Sequence, residues 1–297
     1  PEGTAPIVRA YIQNNLSKQE ALSKLFYVGP MFRYERPQAG RYRQFHQVGV
    51  ETIGDASPAM DIEIISMAFR LFDNLGIKNL KVCVNSIGDS ISRPVINEAI
   101  KQFLGNSPWY EKKMCPRCIK RFDKDPLRLL DCKNETCKAY LSGLPNIIDL
   151  QSAECKDHFH AVTDGLYKLG IPFKVDPFLV RGLGYYSKTT FEIISDHLGA
   201  QNAICGGGRY DNLIQSMGGP DKPAVGFAFG LERTVSVLKQ FSDIIIKKAP
   251  LMYIAPLGSS QQAFCLNLAD QLRQEGIKCE IDFNDINLKA LLKKANK

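Results

Sequence analysis

Two apolar stretches, KLFYVGPMFRYE (24–35) and FHQVGVETIG (45–54), bracket a turn in which arginine dominates. The second alternates apolar and polar residues, the mark of a half-buried strand. The first reads as a short strand that breaks at Gly29-Pro30 and resumes. Together they predict a long-looped antiparallel hairpin. The connecting region, RYERPQAGRYRQFHQ (33–47), holds Arg33, Arg36, Arg41 and Arg43 among two tyrosines, a phenylalanine and a histidine, with only Glu35 opposing them. Three readings fit such a loop: a nucleic-acid strip, a solvated basic loop, or a pocket for a single nucleotide.

The rest of the chain sets this hairpin in a mixed fold. Residues 5–22 carry apolar positions at helical spacing (Ile7, Val8, Tyr11, Ile12, Leu16), and 58–75 predict an amphipathic helix ending at Gly76, a suitable C-cap. LKVCVNSIG (80–88) reads as a strand. From about Asp89 to Pro172 the character is helical, lysine-rich and cysteine-containing. Strand signals return in PFKVDPFLVRG, YYSKTTFEII and QNAICGG, and PAVGFAFGLERTVSVLKQF reads as a strand entering a helix. The expected class is α+β: an antiparallel sheet flanked by helices and interrupted by a helical insertion. Residues 1–88 and 173–246 are expected to form the sheet domain and 89–172 the insertion. The span 247–297 is expected to begin an incomplete α/β domain, because APLMYIAPLG, AFCLNLADQLRQEG and IKCEIDF read strand–helix–strand.

With 297 residues, 44% hydrophobic and 23% charged, the chain can bury a proper core and lies in the globular range. Its net charge of +7 is compatible with a polyanionic partner. No apolar run approaches the roughly 20 residues of a membrane helix. PEGTAPIVRAYIQ also lacks the charged start and apolar centre of a signal peptide, and PEGT reads as a turn from within a larger domain. Nine cysteines, an odd number spread over a long chain, argue against a disulfide framework and for a reducing, cytoplasmic setting.

Four segments belong together: PEGT (1–4), FRYERPQAGRYRQFHQVGVE (32–51), VRGLGYY (180–186) and GGGRYD…GFAFGLER (206–233). In this order and at these separations they resemble histidyl-tRNA synthetase, a class II aminoacyl-tRNA synthetase, over essentially the whole chain. The 32–51 stretch is similar to motif 2 and GFAFGLER to motif 3, while VRGLGYY and GGGRYD look like the two histidine-binding segments. Motif 1 would precede Pro1, and 247–297 is similar to the first half of the anticodon-binding domain. The resemblance implies activation of L-histidine by ATP, with Mg²⁺ on the triphosphate, to give histidyl-adenylate. Transfer to the 3′ end of tRNA(His) follows, and complete members of the family are homodimers.

By the same resemblance, Arg33 contacts the α-phosphate, Glu35 reads the adenine edge, Phe45 stacks on adenine and Arg233 grips the γ-phosphate. Arg41 and Arg43 are left to the outer phosphates or the tRNA end. A hairpin arginine suits this task, since its planar fork matches phosphate geometry. Gln47 and Glu51 lie four apart on one strand and so share a face. Glu51 is placed to accept from the imidazole of histidine, and Gln47, with Glu2 and Thr4, to hold its ammonium group. Arg181 and Arg33 are the expected catalytic pair, stabilising charge on the α-phosphoryl oxygens as the histidine carboxylate attacks. Tyr185 and Tyr186 offer hydroxyls to the imidazole, with Tyr186 favoured as its reader. Gly206 and Gly207 permit close backbone approach, and Tyr210 completes the histidine set. The family pattern Arg-Gly-Leu-Asp-Tyr-Tyr carries Gly184 at its fourth position here, a carboxylate lost beside the substrate site. Two other readings stand beside this one. A catalytically silent, synthetase-like regulatory subunit of ATP phosphoribosyltransferase would keep the fold. A non-enzymatic RNA-binding protein would leave PEGT and VRGLGYY without a purpose.

Cys115, Cys118, Cys132 and Cys137 are spaced C-x2-C-x13-C-x4-C, a four-thiolate zinc spacing. Reduced structural cysteines are the preferred reading, because the resemblance does not call for zinc and the intervening PLRLLD reads helical, which would hold the pairs apart. His46, His158, His160 and His197 form no metal set, and His158 and His160 are expected on the surface of the insertion.

Overall fold

The computed structural model describes residues 2–34, 42–105, 114–195, 203–241, 252–283 and 287–295. Two compact units result, Pro1–Ser242 and Asp243–Lys297. The first is built on β1 (Ser23–Phe32), β2 (Gln44–Ile53), β3 (Leu80–Ser86), β4 (Phe173–Val175), β5 (Ser187–Ser195), β6 (Ala203–Arg209) and β7 (Ala224–Gly230). These form one sheet in the order β1-β2-β7-β6-β5-β3-β4, antiparallel throughout except for the β3–β4 pair.

The predicted hairpin is β1 and β2, with Leu25 opposite Glu51 and Gly29 opposite Gln47. The expected break at Gly29-Pro30 does not occur. Since β1 is an edge strand, the missing N–H of Pro30 deprives no neighbour of a hydrogen bond. The strand expected over PFKVDPFLVRG is limited to Phe173–Val175. There Asp176 and Pro177 turn the chain, and the Asp176 carboxylate accepts from the Phe178 N–H at 3.0 Å.

Helix α2 (Pro58–Asn74) and the helix Ala153–Lys168 pack on one sheet face, where Ile64, Phe72, Val162 and Leu166 meet Val82, Phe191, Phe227 and Phe229. Gly165 permits this close approach, because a Cβ there would collide with Ile62. Gly76 closes α2 as predicted, at φ +84°, with the Ile77 N–H reaching back to the Phe72 carbonyl. His158, expected at the surface, is buried on this face, with its Nε2 3.4 Å from Asp61 Oδ1. The reason is periodic: positions 155, 158, 159, 162 and 166 form the buried stripe of that helix.

A second core packs α3 (Ser92–Gly105) against the segment that follows it, through Ile96, Ile100 and Leu104 against Leu127, Leu129, Leu141 and Ile147. PLRLLD is not a long helix. Pro126 cannot continue the helix Pro116–Lys124, and a 3₁₀ turn over Pro126–Leu129 reverses the chain. That reversal brings the two cysteine pairs together rather than apart.

The second unit has β8 (Met252–Ile254) and β9 (Cys279–Ile281) in parallel, joined through the helix Gln262–Gln274, as the strand–helix–strand rhythm predicts. Ile254, Cys265 and Ala269 form its core, and the helix Leu288–Ala295 follows.

Candidate active site

Alternation along β7 separates core from cleft. Val225, Phe227 and Phe229 enter the hydrophobic core, which leaves Gly226, Ala228 and Gly230 on the other face. They pair with Glu51, Gly49 and Gln47 of β2 on one side, and Ala228 pairs with Gly206 of β6 on the other. Side chains are thus nearly absent from the middle of this face, and the space they leave is the cleft. Two cavities occupy it, one of about 480 Å³ and one of about 70 Å³. Gln47, Arg181, Gly206 and Ala228 line both.

The small cavity gathers most of the residues expected to hold histidine: Glu2, Thr4, Gln47, Glu51, Arg181, Tyr185, Tyr186, Gly206 and Tyr210. Glu51 is its chemical centre. Thr4 Oγ1 donates to one of its oxygens at 2.7 Å, and the Tyr210 hydroxyl to the other at 2.6 Å. A Cβ at Gly226 would collide with that carboxylate, so glycine is required opposite it. Burial pushes the Glu51 carboxyl up to about 7, opposed by the hydrogen bonds from Tyr210 and Thr4 and aided by the nearby charge of Glu2. Gln47 is held by its side-chain oxygen, which accepts from the Gly3 N–H at 3.0 Å and the Tyr27 hydroxyl at 3.2 Å. Glu2 accepts from the Thr4 N–H at 2.6 Å, at the start of helix α1 (Thr4–Gln13), so Glu2 and Thr4 both open a helix and wall the cavity.

The two tyrosines differ. Tyr186 is packed into the second core beneath Arg181, whose Cζ lies 5.8 Å from its ring centre. The Tyr185 hydroxyl is buried without a hydrogen-bond partner in good geometry, at the edge of the cavity. Gly207 lines neither cavity. It sits one position out of phase with Gly206, where a Cβ would meet Phe191 of the core.

The large cavity is walled by Arg33, Phe45, Arg181, Glu192, Glu232 and Arg233, among others. The Arg33 guanidinium lies 4.4 Å over the Phe45 ring, and its Nε donates to the Tyr42 carbonyl at 2.6 Å. Arg233 donates to the Ala203 carbonyl at 2.6 Å. Arg181 crosses Gly206, where any side chain would displace it, and donates to Glu192 Oε1 at 2.5 Å. Gly184 is exposed, and a Cβ there meets nothing within 4 Å. Glu35, Arg36, Arg41 and His197 lie outside the described residues.

Sequence reasoning missed Tyr27, Glu192 and Glu232. Tyr27 fills the space between Gly3 and Gly49 and fixes Gln47. Glu192 orients Arg181, and Glu232 accepts from the His46 N–H at 2.9 Å and meets its Nδ1 at 2.8 Å. The signal available was the charged residue in apolar TTFEII, and the acid beside Arg233.

A protein-family model described as Histidyl-tRNA synthetase matches residues 1–234. The histidine--tRNA ligase of Desulfitobacterium hafniense is 44% identical over 299 residues, covering 100% of this chain and 70% of that protein. The crystal structure of apo histidyl-tRNA synthetase from S. aureus superposes with a TM-score of 0.79 at 34% identity, over 100% of this chain and 72% of that one. A Bacillus halodurans protein described as an ATP phosphoribosyltransferase regulatory subunit/histidyl-tRNA synthetase has a TM-score of 0.66 at 19% identity over 99% of this chain and 77% of that one, and shares the fold. With the cleft, the two adjoining cavities and the matched sequence in agreement, the chain belongs to the histidyl-tRNA synthetase family, with a class II synthetase fold.

Proposed function

We propose that this chain is a histidine–tRNA ligase whose 70 Å³ cavity takes the histidine side chain and whose 480 Å³ cavity takes ATP. The observation that carries this reading is Arg181, which lines both cavities. A guanidinium at that junction faces the place where an amino-acid carboxylate would meet an α-phosphorus. The carboxylate oxygen attacks the α-phosphorus in line, the bond from that phosphorus to the α,β-bridging oxygen breaks, and pyrophosphate leaves with the bond's electron pair. Arg181 and Arg33 stabilise the charge on the α-phosphoryl oxygens, and positioning supplies most of the rest. The cavity volume lies in the usual range for a small-molecule site.

Adenine stacks on the face of Phe45 that Arg33 leaves free, and Arg233 meets the γ-phosphate. Magnesium arrives on the triphosphate. Glu51 accepts from the imidazole, Gln47 with Glu2 and Thr4 holds the ammonium group, and the buried Tyr185 hydroxyl, which has no hydrogen bond of good geometry within the chain, makes it the better-supported imidazole reader. Arg41 and Arg43 serve the outer phosphates or the acceptor end of tRNA(His), to which histidine is transferred. Residues 89–172 form the insertion, and 247–297 the start of the anticodon-binding domain. Phe26, Val28 and Phe32, exposed on one face of edge strand β1, support pairing with a second subunit. Among the described residues no helix is long and apolar enough to cross a membrane, in keeping with a cytoplasmic enzyme.

Histidine-dependent ATP–pyrophosphate exchange tests the reading, and its absence in folded protein would favour the regulatory-subunit alternative. Arg181→Ala is expected to lower kcat for exchange by about 10²–10³-fold. A loss confined to the histidine KM would show that Arg181 binds substrate without stabilising the transition state.

A further inference from the structure

The insertion holds a sulfur cluster that the aminoacylation chemistry does not use. Cys115 immediately precedes the helix Pro116–Lys124 and Cys118 lies in its first turn, while Cys132 follows the Pro126–Leu129 turn and Cys137 lies in the helix Glu135–Leu141. The four Sγ atoms lie within 4.8 Å of one another, and among the described residues this is the one group of histidine, cysteine and acidic side chains able to hold a metal ion. Cys118, Cys132 and Cys137 are buried.

Distances favour a metal over the alternatives. The Cys115 and Cys132 sulfurs are 3.8 Å apart. A regular tetrahedron with metal–sulfur bonds of about 2.3 Å has edges of about 3.8 Å. A disulfide needs about 2.05 Å, and all nine cysteines are free. Uncomplexed buried cysteines behave as small apolar side chains and need no mutual contact; Cys83, Cys155, Cys205, Cys265 and Cys279 form no such group. The Cys115 N–H also donates to Cys137 Sγ at 3.2 Å, the kind of outer hydrogen bond that steadies a ligating sulfur.

We propose that Cys115, Cys118, Cys132 and Cys137 bind one Zn²⁺ as four thiolates, each thiol releasing its proton to solvent. Four protein ligands leave no open position for substrate, so the ion is structural. It fastens the chain reversal around Pro126–Leu129, and with it the two neighbours of Cys132, Asp131 and Lys133, which wall the large cavity.

The test uses the whole chain, purified without a histidine tag. Elemental analysis is expected to give one zinc per chain, retained through desalting and released when a mercurial reagent titrates the thiols. The double variant Cys132→Ser/Cys137→Ser is expected to lose the ion, while Cys83→Ser/Cys279→Ser keeps it. Should the first pair fail to fold, wild-type protein stripped and refilled with Co²⁺ is expected to show tetrahedral d–d absorption with thiolate-to-cobalt charge transfer. Wild-type protein with reduced thiols that retains less than about one zinc per ten chains after zinc incubation overturns the proposal. Stoichiometric iron in its place overturns the choice of metal.

Discussion

Ten positions apart in the chain, Glu51 and Asp61 are both buried, at 1% and 0% exposure, yet they stand in opposite electrostatic conditions. Asp61 receives the fully buried Arg209 through both Nε and Nη2 and has His158 beside it. Burial pushes its carboxyl up, but His158 and Arg209 outweigh that and hold it below the usual range. Around Glu51 the interacting groups are two neutral hydroxyls and a second acid, so burial wins and its carboxyl rises to about 7. The difference separates fold from function. A buried carboxylate that the chain neutralises itself belongs to the scaffold, whereas one faced only by neutral donors and a second acid marks a candidate ligand site, as the proposed histidine contact requires.

The sharpest way to break this comparison is Asp61→Asn. It would leave Arg209 with only the partly exposed Asp211, 3.2 Å away, as counter-ion, and urea unfolding is expected to show a loss of about 3 kcal/mol. A change below about 1 kcal/mol would mean that the pair is not what compensates the burial.

Glu51→Gln is expected to act in the other direction. With a folded value near 7 against 4.5 for the ordinary carboxyl, the folded protein keeps a proton that the unfolded chain releases. Wild-type stability therefore falls as pH rises from about 4.5 to 7, by about 3 kcal/mol in all. The variant should be more stable than wild type by up to that amount at pH 8 and gain nothing at pH 4, while losing histidine-dependent exchange. Equal unfolding midpoints at pH 8 would show that Glu51 is not strained by its burial.

Tyr210→Phe removes the stronger of the two hydrogen bonds that lower Glu51. The histidine kcat/KM of wild type is expected to fall as pH drops below about 7, where Glu51 gains its proton. In the variant that fall should begin at a higher pH. An unshifted profile would assign the titration to another group.

The smallest effect concerns Gly184→Asp, which adds to the comparison a carboxylate that stands in solvent. With open space around it, neither the burial of Glu51 nor the pairing of Asp61 applies. Unfolding midpoints should correspond to a change within about 0.5 kcal/mol.

Much of the site was legible before the fold was known. Phe45, Gln47 and Glu51 share a parity along β2, and alternation alone puts them on one face. The Val-Gly-Phe-Ala-Phe-Gly run of β7 likewise announces one bulky face and one empty face. Less legible were effects that depend on what lies across the sheet or beyond it. The edge position of β1 made Pro30 harmless, the stripe on Ala153–Lys168 buried His158, and Gly207 fell out of phase with the site.

The sequence by itself determined the strand and helix rhythm, the hairpin with its arginines, and the motifs that mark the family, because these are set by local periodicity and spacing. Only the tertiary structure decided which charges meet, as with Arg209 and Asp61 from distant segments, that the buried Tyr185 hydroxyl makes no hydrogen bond of good geometry, and that four cysteines from three short elements converge. Each of those outcomes turns on sheet register, chain reversal and exclusion of water, which bring together groups whose separation along the chain carries no trace of their contact.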